Sequence, residues 1–447
     1  MIGEGVRAAL AAGAILALGS ETVFAQPFNV ERPLVIIVGA SGGAPMTRID
    51  GARRGLARTP LPSSGLHTEW RTALGFTAQQ GPLVDSNGRT YVVGENGEVI
   101  SLGRDGAVLS LVASRALRPG PPTLLSDDTL VFVDSVGDAV AVRDGAVAWR
   151  SRFGRASEAP GAPLALDEGG VVVSSGPDLA VMNADGRETS RIALPEPTSH
   201  PLLVALGRVV IVGNTGTVWT WTPGTGRAER DGSFGSDIDG SAALADAHTL
   251  VAITATHTRV STFDLIHGLE TKVAGPAGGL WLGPPTVAAR GGFYAMQSTP
   301  AGDVAVAIDS SGTQRGHALL AGPSRGRSPD SGGLPTEDVS STPPVTDADG
   351  HLAFATRNGS IGVVSGLGAL ASSGVDMGAQ NAQNAQNATV ELVADACSPM
   401  PSQAHSRPAV VGLAPLAPGE LVAVCRSGLV VAVKGRSPAG DSGPSRL

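Results

Sequence analysis

The stretch GPLVDSNGRTYVVGENGEVISLGRDGAVLS, residues 81–110, decides the fold. Within it, short apolar runs stop at the polar turns DSNG, ENGE and GRDG. Asn-Gly and Asp-Gly pairs supply the positive φ that a tight hairpin needs, and the runs between them are too short for helices. The stretch therefore predicts four short antiparallel strands that form one small sheet.

The same pattern recurs along the chain. The first strands of successive units begin at Pro82, Pro122, Pro163, Pro201, Ser241, Pro285, Pro344 and Leu413. The early starts are evenly spaced, and only the last two intervals are clearly longer. A regular period of roughly forty positions is typical of a repeat array. Each predicted sheet is apolar on both faces, so it must be stacked between neighbours to be stable.

A four-stranded sheet repeated about every forty positions is a propeller blade. The sequence therefore predicts an all-β, eight-bladed β-propeller. The eighth unit ends after its third strand, at 430–434. Residues 66–74, LHTEWRTAL, resemble the fourth strand around Trp149, AVAWRSRF. We expect this N-terminal segment to complete the last blade and close the ring, which protects the sheet edges; the alternative is a capping strand elsewhere.

Composition agrees with a turn-rich protein that has a core. The 447 residues include 61 glycines and 32 prolines, and 42% of the chain is hydrophobic. The formal net charge is -8 and there is no basic run, so a nucleic-acid partner is not expected.

The N-terminal stretch Met1–Ala25 indicates export. Arg7 gives a positive start, residues 8–18 are apolar but too short to span a bilayer, and Val23-Phe24-Ala25 matches a cleavage site. We expect cleavage after Ala25; the alternative is a retained N-terminal anchor. No cysteine follows the apolar run, which disfavours a lipid-modified N-terminus. We expect a monomer without a transmembrane span in the mature chain, in the periplasm or secreted.

Cys397 and Cys425 are the two cysteines. An even pair in an exported protein favours a structural disulfide, and two buried free thiols are the alternative. The predicted domain organisation is a signal peptide at 1–25, an N-terminal segment at 26–64, the propeller at 65–435 and a disordered tail at 436–447. Polar insertions near 324–342 and 371–407 lengthen the last two spacings, and both are interpreted as flexible loops between blades.

Three patterns imitate functional motifs. Residues 39–43, GASGG, match the G-x-S-x-G of a hydrolase, but Pro45 follows where a helix is needed, so 33–45 is interpreted as a surface strand with a Gly-rich turn. Asp347-x-Asp349-Gly350 resembles the start of a calcium loop, yet the twelfth position is Asn358, which favours a turn. The eight histidines are scattered without ligand spacing. We therefore expect no metal site and no catalytic residues.

The junctions between third and fourth strands carry a family resemblance. TFDLIHGLETK (262–272), TWTPGTGRAE (220–229), AIDSSGTQ (307–314) and AVRDGAVAW (141–149) resemble the A-x-D-x-x-T-G-x-x-x-W junction of pyrroloquinoline-quinone-type propeller repeats. Trp149, four residues after Gly145, matches the docking tryptophan of that repeat. The resemblance covers roughly residues 65–435.

The resemblance implies two branches. Quinoprotein dehydrogenases hold the quinone above the central axis with Ca²⁺, a tryptophan floor and commonly a vicinal cysteine pair, which this chain lacks. The non-enzymatic branch includes the eight-bladed lipoprotein of the outer-membrane β-barrel assembly machinery, a protein-binding scaffold. We therefore expect a non-catalytic scaffold without a cofactor that binds a protein or another envelope component. The alternatives are a quinone-dependent dehydrogenase and a sugar-binding or hydrolytic propeller.

Overall fold

The computed structural model describes residues 44, 46, 49–50, 53, 55–166, 169–273, 279–289, 291–300, 302–321, 342–356, 359–367, 389–393, 396–397 and 409–436. All of them belong to one compact unit, Leu34–Leu447. The predicted signal peptide at 1–25, nearly all of the predicted tail and most of both insertions lie outside the described residues. The prediction for the signal peptide therefore stays a prediction.

The described residues form eight antiparallel sheets. The chain enters through β1 (Ser64–Ala73). Blade 1 contains β2 (Leu83–Val84), β3 (Thr90–Val93), β4 (Glu98–Leu102) and β5 (Val108–Ala113), and blade 2 contains β6 (Thr123–Leu124), β7 (Leu130–Val133), β8 (Asp138–Arg143) and β9 (Ala146–Arg152). Blade 3 contains β10 (Leu164–Ala165), β11 (Val171–Met182) and β12 (Glu188–Thr198), and blade 4 contains β13 (Leu203–Ala205), β14 (Arg208–Val212), β15 (Thr217–Trp221) and β16 (Glu229–Ser233).

The second half follows the same plan. Blade 5 contains β17 (Ala243–Leu244), β18 (Thr249–Ile253), β19 (Val260–Asp264) and β20 (Leu269–Val273), and blade 6 contains β21 (Leu280–Val287), β22 (Phe293–Thr299), β23 (Gly302–Ile308) and β24 (Gln314–Ala321). Blade 7 contains β25 (Val345–Thr346), β26 (Leu352–Ala355), β27 (Ile361–Ser365) and β28 (Thr389–Val393), and blade 8 contains β29 (Val410–Ala417), β30 (Glu420–Cys425) and β31 (Leu429–Arg436).

Local sequence explains the short strands. In blade 1, the chain turns at Gly88, Gly97 and Gly106, whose φ values are +77°, +78° and +80°. Glycine adopts this left-handed conformation without steric cost, so each turn follows from the residue at its end. Blade 3 differs because β11 runs through the second and third strand positions, with Gly176 at φ +59° between its two stretches.

The ring is closed by the N-terminal strand, as predicted. β1 pairs antiparallel with β31, and its register includes His67 opposite Lys434 and Ala73 opposite Leu429. The fourth strand of blade 8 therefore comes from a segment that precedes all of blade 1 in the sequence. The fold is the predicted all-β, eight-bladed propeller, with four-stranded blades apart from the continuous β11.

First strands line the inside of the ring and fourth strands form its rim. The first strands of neighbouring blades contact one another, for example β2 with β29 and β17 with β21. Apolar clusters fill the spaces between blades; one of them joins Val133 of blade 2, Val173 of blade 3 and Ile211 of blade 4. This packing removes from water the two apolar faces that no single blade could shield.

The second insertion differs from its interpretation as a loop between blades. Within 371–407, residues Thr389–Val393 form β28, which pairs with β27 as the rim strand of blade 7. The Ala-Gln-Asn tract at 379–388 therefore lies between the third and fourth strands of one blade. The first insertion, near 324–342, falls between β24 and β25, hence between blades 6 and 7.

Candidate functional site

Described residues from 44 to 61, here called the central segment, lie against the inner strands of the propeller. Ala44 exchanges two backbone hydrogen bonds with Val84 of blade 1, at 2.7 and 3.0 Å. Met46 forms a bridge with Thr123 of blade 2. Both Ala44 and Met46 are buried. The interpretation of 33–45 as a surface strand is therefore wrong at its described end, because Ala44 pairs inside the ring.

Arg53 anchors the middle of the central segment. Its Nε donates to the carbonyl oxygen of Leu202 at 3.0 Å, and its Nη2 donates to that of Pro163 at 2.7 Å, so it joins blades 3 and 4. The residue is 0% exposed. Burial lowers the pKa of the guanidinium to about 10, and the charge of nearby Asp50 opposes that shift. Arg53 therefore stays charged at neutral pH, and carbonyl dipoles and a carboxylate take the place of water.

The last part of the central segment reaches the opposite blades. The backbone of Thr346 in blade 7 donates to Gly55 at 2.8 Å and accepts from Ala57 at 2.6 Å. A Cβ on Gly55 would lie 2.4 Å from Thr286 Oγ1 of blade 6, so only glycine fits there. The carbonyl of Pro60 accepts from the backbone of blade 8. Together, these contacts reach seven of the eight blades, and we conclude that the chain occupies the centre of its own ring.

All five tryptophans are described, and each has an identified structural contact or position. Trp281 is buried in the apolar cluster of blades 5 and 6, Trp221 donates to Thr225, and Trp219 donates to the Glu196 carboxylate. The remaining two, Trp70 and Trp149, lie on rim strands.

Trp149 and Trp70 each dock one blade onto the next. Trp149 Nε1 donates to the carbonyl of Ala184 in blade 3 at 3.1 Å. Trp70 Nε1 donates to that of Arg104 in blade 1 at 2.8 Å. In both junctions the indole covers a glycine with positive φ, which is Gly186 for Trp149 and Gly106 for Trp70. A Cβ at either glycine would collide with the indole. The closing junction between blades 8 and 1 therefore uses the same contact as an internal junction.

The predicted turn at Asp347 also holds the central segment. Carboxyl oxygens of Asp347 and Asp349 and a ring nitrogen of His351 lie within 4.8 Å of one another. Asp347 Oδ1 accepts from the backbone of Asp349 and His351, and its Oδ2 accepts from Leu61 N and from His351 Nδ1, both at 2.8 Å. Both oxygens are thus engaged in a hydrogen-bonded turn, which is the arrangement that the sequence favoured over a calcium loop.

The structure contains a disulfide between Cys397 and Cys425, whose Cα atoms lie 5.6 Å apart. Cys425 is the last residue of β30, and the backbone of Cys397 donates to Gly359 of blade 7 at 3.0 Å. The bond therefore joins blade 7 to blade 8, beside the blade that closes the ring. On the chain-entropy model, a loop of this length contributes about 3 kcal/mol to stability.

Sequence reasoning missed the central segment. Residues 26–64 carry no repeat pattern, and an arginine within the run GARRG at 51–55 gives no signal of burial. None of the described residues forms a helix with the length and hydrophobicity needed to cross a membrane.

Eight blades, tryptophan-docked junctions and closure by an N-terminal strand define a propeller of the quinoprotein-like repeat type. The family model described as outer membrane protein assembly factor BamB matches residues 133–395, which is more than half of the chain. The chain therefore belongs to this family, and the resemblance found in the sequence is confirmed. No curated protein sequence matches the chain.

Three solved structures are similar in fold. BamB from Moraxella catarrhalis has a TM-score of 0.56 at 16% identity and covers 83% of this chain and 100% of its own. The computationally designed Ika8 protein has a TM-score of 0.55 at 13% identity and covers 85% and 100%. Quinohemoprotein alcohol dehydrogenase from Comamonas testosteroni has a TM-score of 0.58 at 10% identity and covers 91% and 82%. At these identities the likeness concerns the fold alone.

Proposed function

We propose that the protein is an exported, non-catalytic propeller scaffold that binds a protein or another component of the cell envelope. The observation that carries this proposal is the occupied centre of the ring. Near the inner strands, Arg53 has its charge hydrogen-bonded to blades 3 and 4, and it is above the axis of such a ring that dehydrogenases of this fold hold their quinone. A guanidinium held this way serves packing rather than redox chemistry.

Membership of the family supports the class of partner. Its description names an outer membrane protein assembly factor, so proteins of outer-membrane assembly are the first partners to test. The apolar run at 8–18 and the disulfide between Cys397 and Cys425 agree with a periplasmic or secreted protein, because disulfides persist in oxidising compartments.

Reconstitution distinguishes the scaffold from the dehydrogenase. The purified mature chain is incubated with pyrroloquinoline quinone and Ca²⁺, and dye reduction is followed with a panel of alcohols and sugars. We expect neither stoichiometric binding of the quinone nor turnover. An authentic quinoprotein apoenzyme, treated identically, is the positive control. Stoichiometric quinone binding with turnover would overturn the proposal.

Capture of envelope proteins tests the binding role. Immobilised protein is mixed with solubilised envelope extract, with a designed propeller of the same blade number as the control surface. We expect a small set of envelope proteins that free protein displaces in proportion to its concentration. The same proteins on both surfaces, or none that free protein displaces, would contradict a specific scaffold.

A further inference from the structure

The rim strand of blade 1 differs in sequence from the other seven rim strands. β5 reads VLSLVA and contains no charged residue. Every other rim strand carries at least one charged or histidine side chain, such as Glu69 on β1, Arg150 on β9, Lys272 on β20 and Glu391 on β28. Charges on an edge strand prevent it from pairing with another chain. β5 alone lacks this protection.

The apolar side chains of β5 are also exposed. Val108, Leu109 and Leu111 are 53%, 54% and 62% exposed, and Leu117, just beyond the strand, is 58% exposed. No other rim strand has more than one such residue among the large exposed hydrophobics of the described chain. Within the described residues, β5 pairs only with β4, which leaves its outer edge without a strand partner.

We propose that two copies of this chain associate through β5, whose outer edges pair antiparallel about a two-fold axis. Such an isologous contact joins the sheets of two blades 1 into one continuous sheet. The sequence alone favoured a monomer. It could not indicate this contact, because the exposure of a rim strand depends on its place in the ring.

Charge complementarity supports a second copy as the occupant. Asp105, Asp128 and Asp144 lie at the N-terminal end of β5. The arginines beside them form ion pairs with other carboxylates, so the excess charge at this end is negative; these pairs are Arg104–Glu420, Arg89–Asp85 and Arg143–Asp127. The C-terminal end of β5 is basic, with exposed Arg115 and Arg118. Antiparallel pairing of β5 with itself places the basic end of each copy against the acidic end of the other, so both ends of the contact attract.

We place the two-fold axis at Ser110, where the regular part of β5 begins. Residues 110–113 pair with 98–101 of β4 without interruption, and the irregularity of the ladder lies at the other end, near Val108. With Ser110 on the two-fold axis, Leu109 of one copy lies near Leu111 of the other. Asp105, in the turn before β5, and Arg115, beyond its last residue, then lie at the same end of the contact in the two copies. The contact then consists of an apolar centre between two pairs of opposite charges.

A contact based on one short strand is small, below the area that stable dimers bury. We therefore expect a reversible dimer with a dissociation constant of about 10 to 100 µM. Sedimentation equilibrium of the full mature chain should show the average mass rising from one copy towards two across this range. One copy at every concentration up to several times the upper value overturns the proposal.

Leu111→Lys places a charge at the centre of the contact. We expect this variant to weaken dimerisation at least tenfold, whereas Leu319→Lys leaves it unchanged. Leu319 is the matched control because it is 52% exposed on the rim strand of blade 6. An unchanged melting temperature for both variants shows that the blades remain folded. A Leu111→Lys variant that associates like the wild type overturns the proposal.

Charge reversal tests the register. Asp105→Arg and Arg115→Asp should each weaken association about threefold or more, because each creates two like-charge contacts. The double variant Asp105→Arg/Arg115→Asp should recover the affinity of the wild type. Both side chains are exposed, but Asp105 Oδ1 accepts from the backbone of Ala107 at 3.1 Å, so the melting temperature of each variant is measured and association is compared only among folded variants. Additive losses in the double variant overturn the antiparallel pairing.

Discussion

At the scale of the residue, Arg53 is the most informative side chain. A charged group that is fully buried survives only where polar partners replace its hydration. Here the partners are carbonyl oxygens on two different blades, both distant from Arg53 in the sequence. The hydrogen bonds of the guanidinium therefore form only when the central segment is packed against blades 3 and 4.

Replacing Arg53 with methionine should destabilise the protein. The substitution keeps much of the volume but leaves the carbonyls of Leu202 and Pro163 buried without that donor, at an expected cost of about 2 to 3 kcal/mol. Urea unfolding followed by tryptophan fluorescence measures the change. Arg58→Met is the matched control, since Arg58 is an exposed arginine of the same segment and should change stability by less than about 0.5 kcal/mol. Equal effects of the two substitutions would contradict the anchoring role.

His351 gives the protein a pH-dependent contribution to stability. Burial acts to lower its pKa, but the hydrogen bond and charge of Asp347, with the charge of Asp349, outweigh burial and raise the pKa above its ordinary value. A raised histidine pKa stabilises the folded state fully below the unfolded-state pKa of about 6.5, and the contribution disappears as the pH rises through the folded-state value.

Accordingly, His351→Gln should lower the free energy of unfolding more at about pH 5.5 than at about pH 8.5. The control is His267→Gln. His267 contacts Asp264 through Nδ1 at the same distance, 2.8 Å, but its side chain is 65% exposed, so water screens the pair. A loss for His351→Gln that is independent of pH, or larger at the higher pH, would refute the assignment.

At the scale of the element, the predictable parts of the fold are those encoded within a few residues. Gly88, Gly97 and Gly106 end hairpins inside the stretch that predicts blade 1, so periodicity and turn chemistry are sufficient there. β28 escaped prediction because the long interval 366–388, which includes the Ala-Gln-Asn tract, separates it from β27. The central segment escaped because its burial depends on contacts with blades that are distant in sequence.

The closing junction depends on the contact between Trp70 and Gly106. Gly106→Ala forces a side chain into φ +80° and brings its Cβ to 2.6 Å from the indole. Gly207→Ala is the control, because Gly207 has φ +70° with no other atom within 4 Å of the added Cβ. Both should lose about 1 kcal/mol from backbone strain, and Gly106→Ala should lose about 1 to 3 kcal/mol more from the collision. Thermal or urea unfolding compares them; identical losses would mean that the docking contact does not stabilise the ring.

At the scale of the whole molecule, both structural roles of the N-terminal region serve the ring. β1 supplies the rim strand of blade 8, and the central segment contacts inner strands around the circle. A repeat array would otherwise leave two open ends and a hollow axis. Filling the axis with the chain itself produces a rigid disc whose outer surfaces remain for binding, which is the basis of the proposed scaffold role.

Hydrogen exchange of the protein without substitutions, read by mass spectrometry, tests two claims together: that β1 closes the ring and that the central segment fills it. Amides of 430–433 in β31 and of Ala44, Arg53 and Ala57 should exchange as slowly as those of β14, which is paired on both sides in blade 4. In β1, which is an edge strand, the amides of 68–73 that bond to β31 should be protected, and the alternate, outward-facing ones should exchange faster. Exchange of the N-terminal amides within seconds, as in exposed turns such as the one at Asp127, while β14 stays protected, would contradict a ring that its N-terminal region closes and fills.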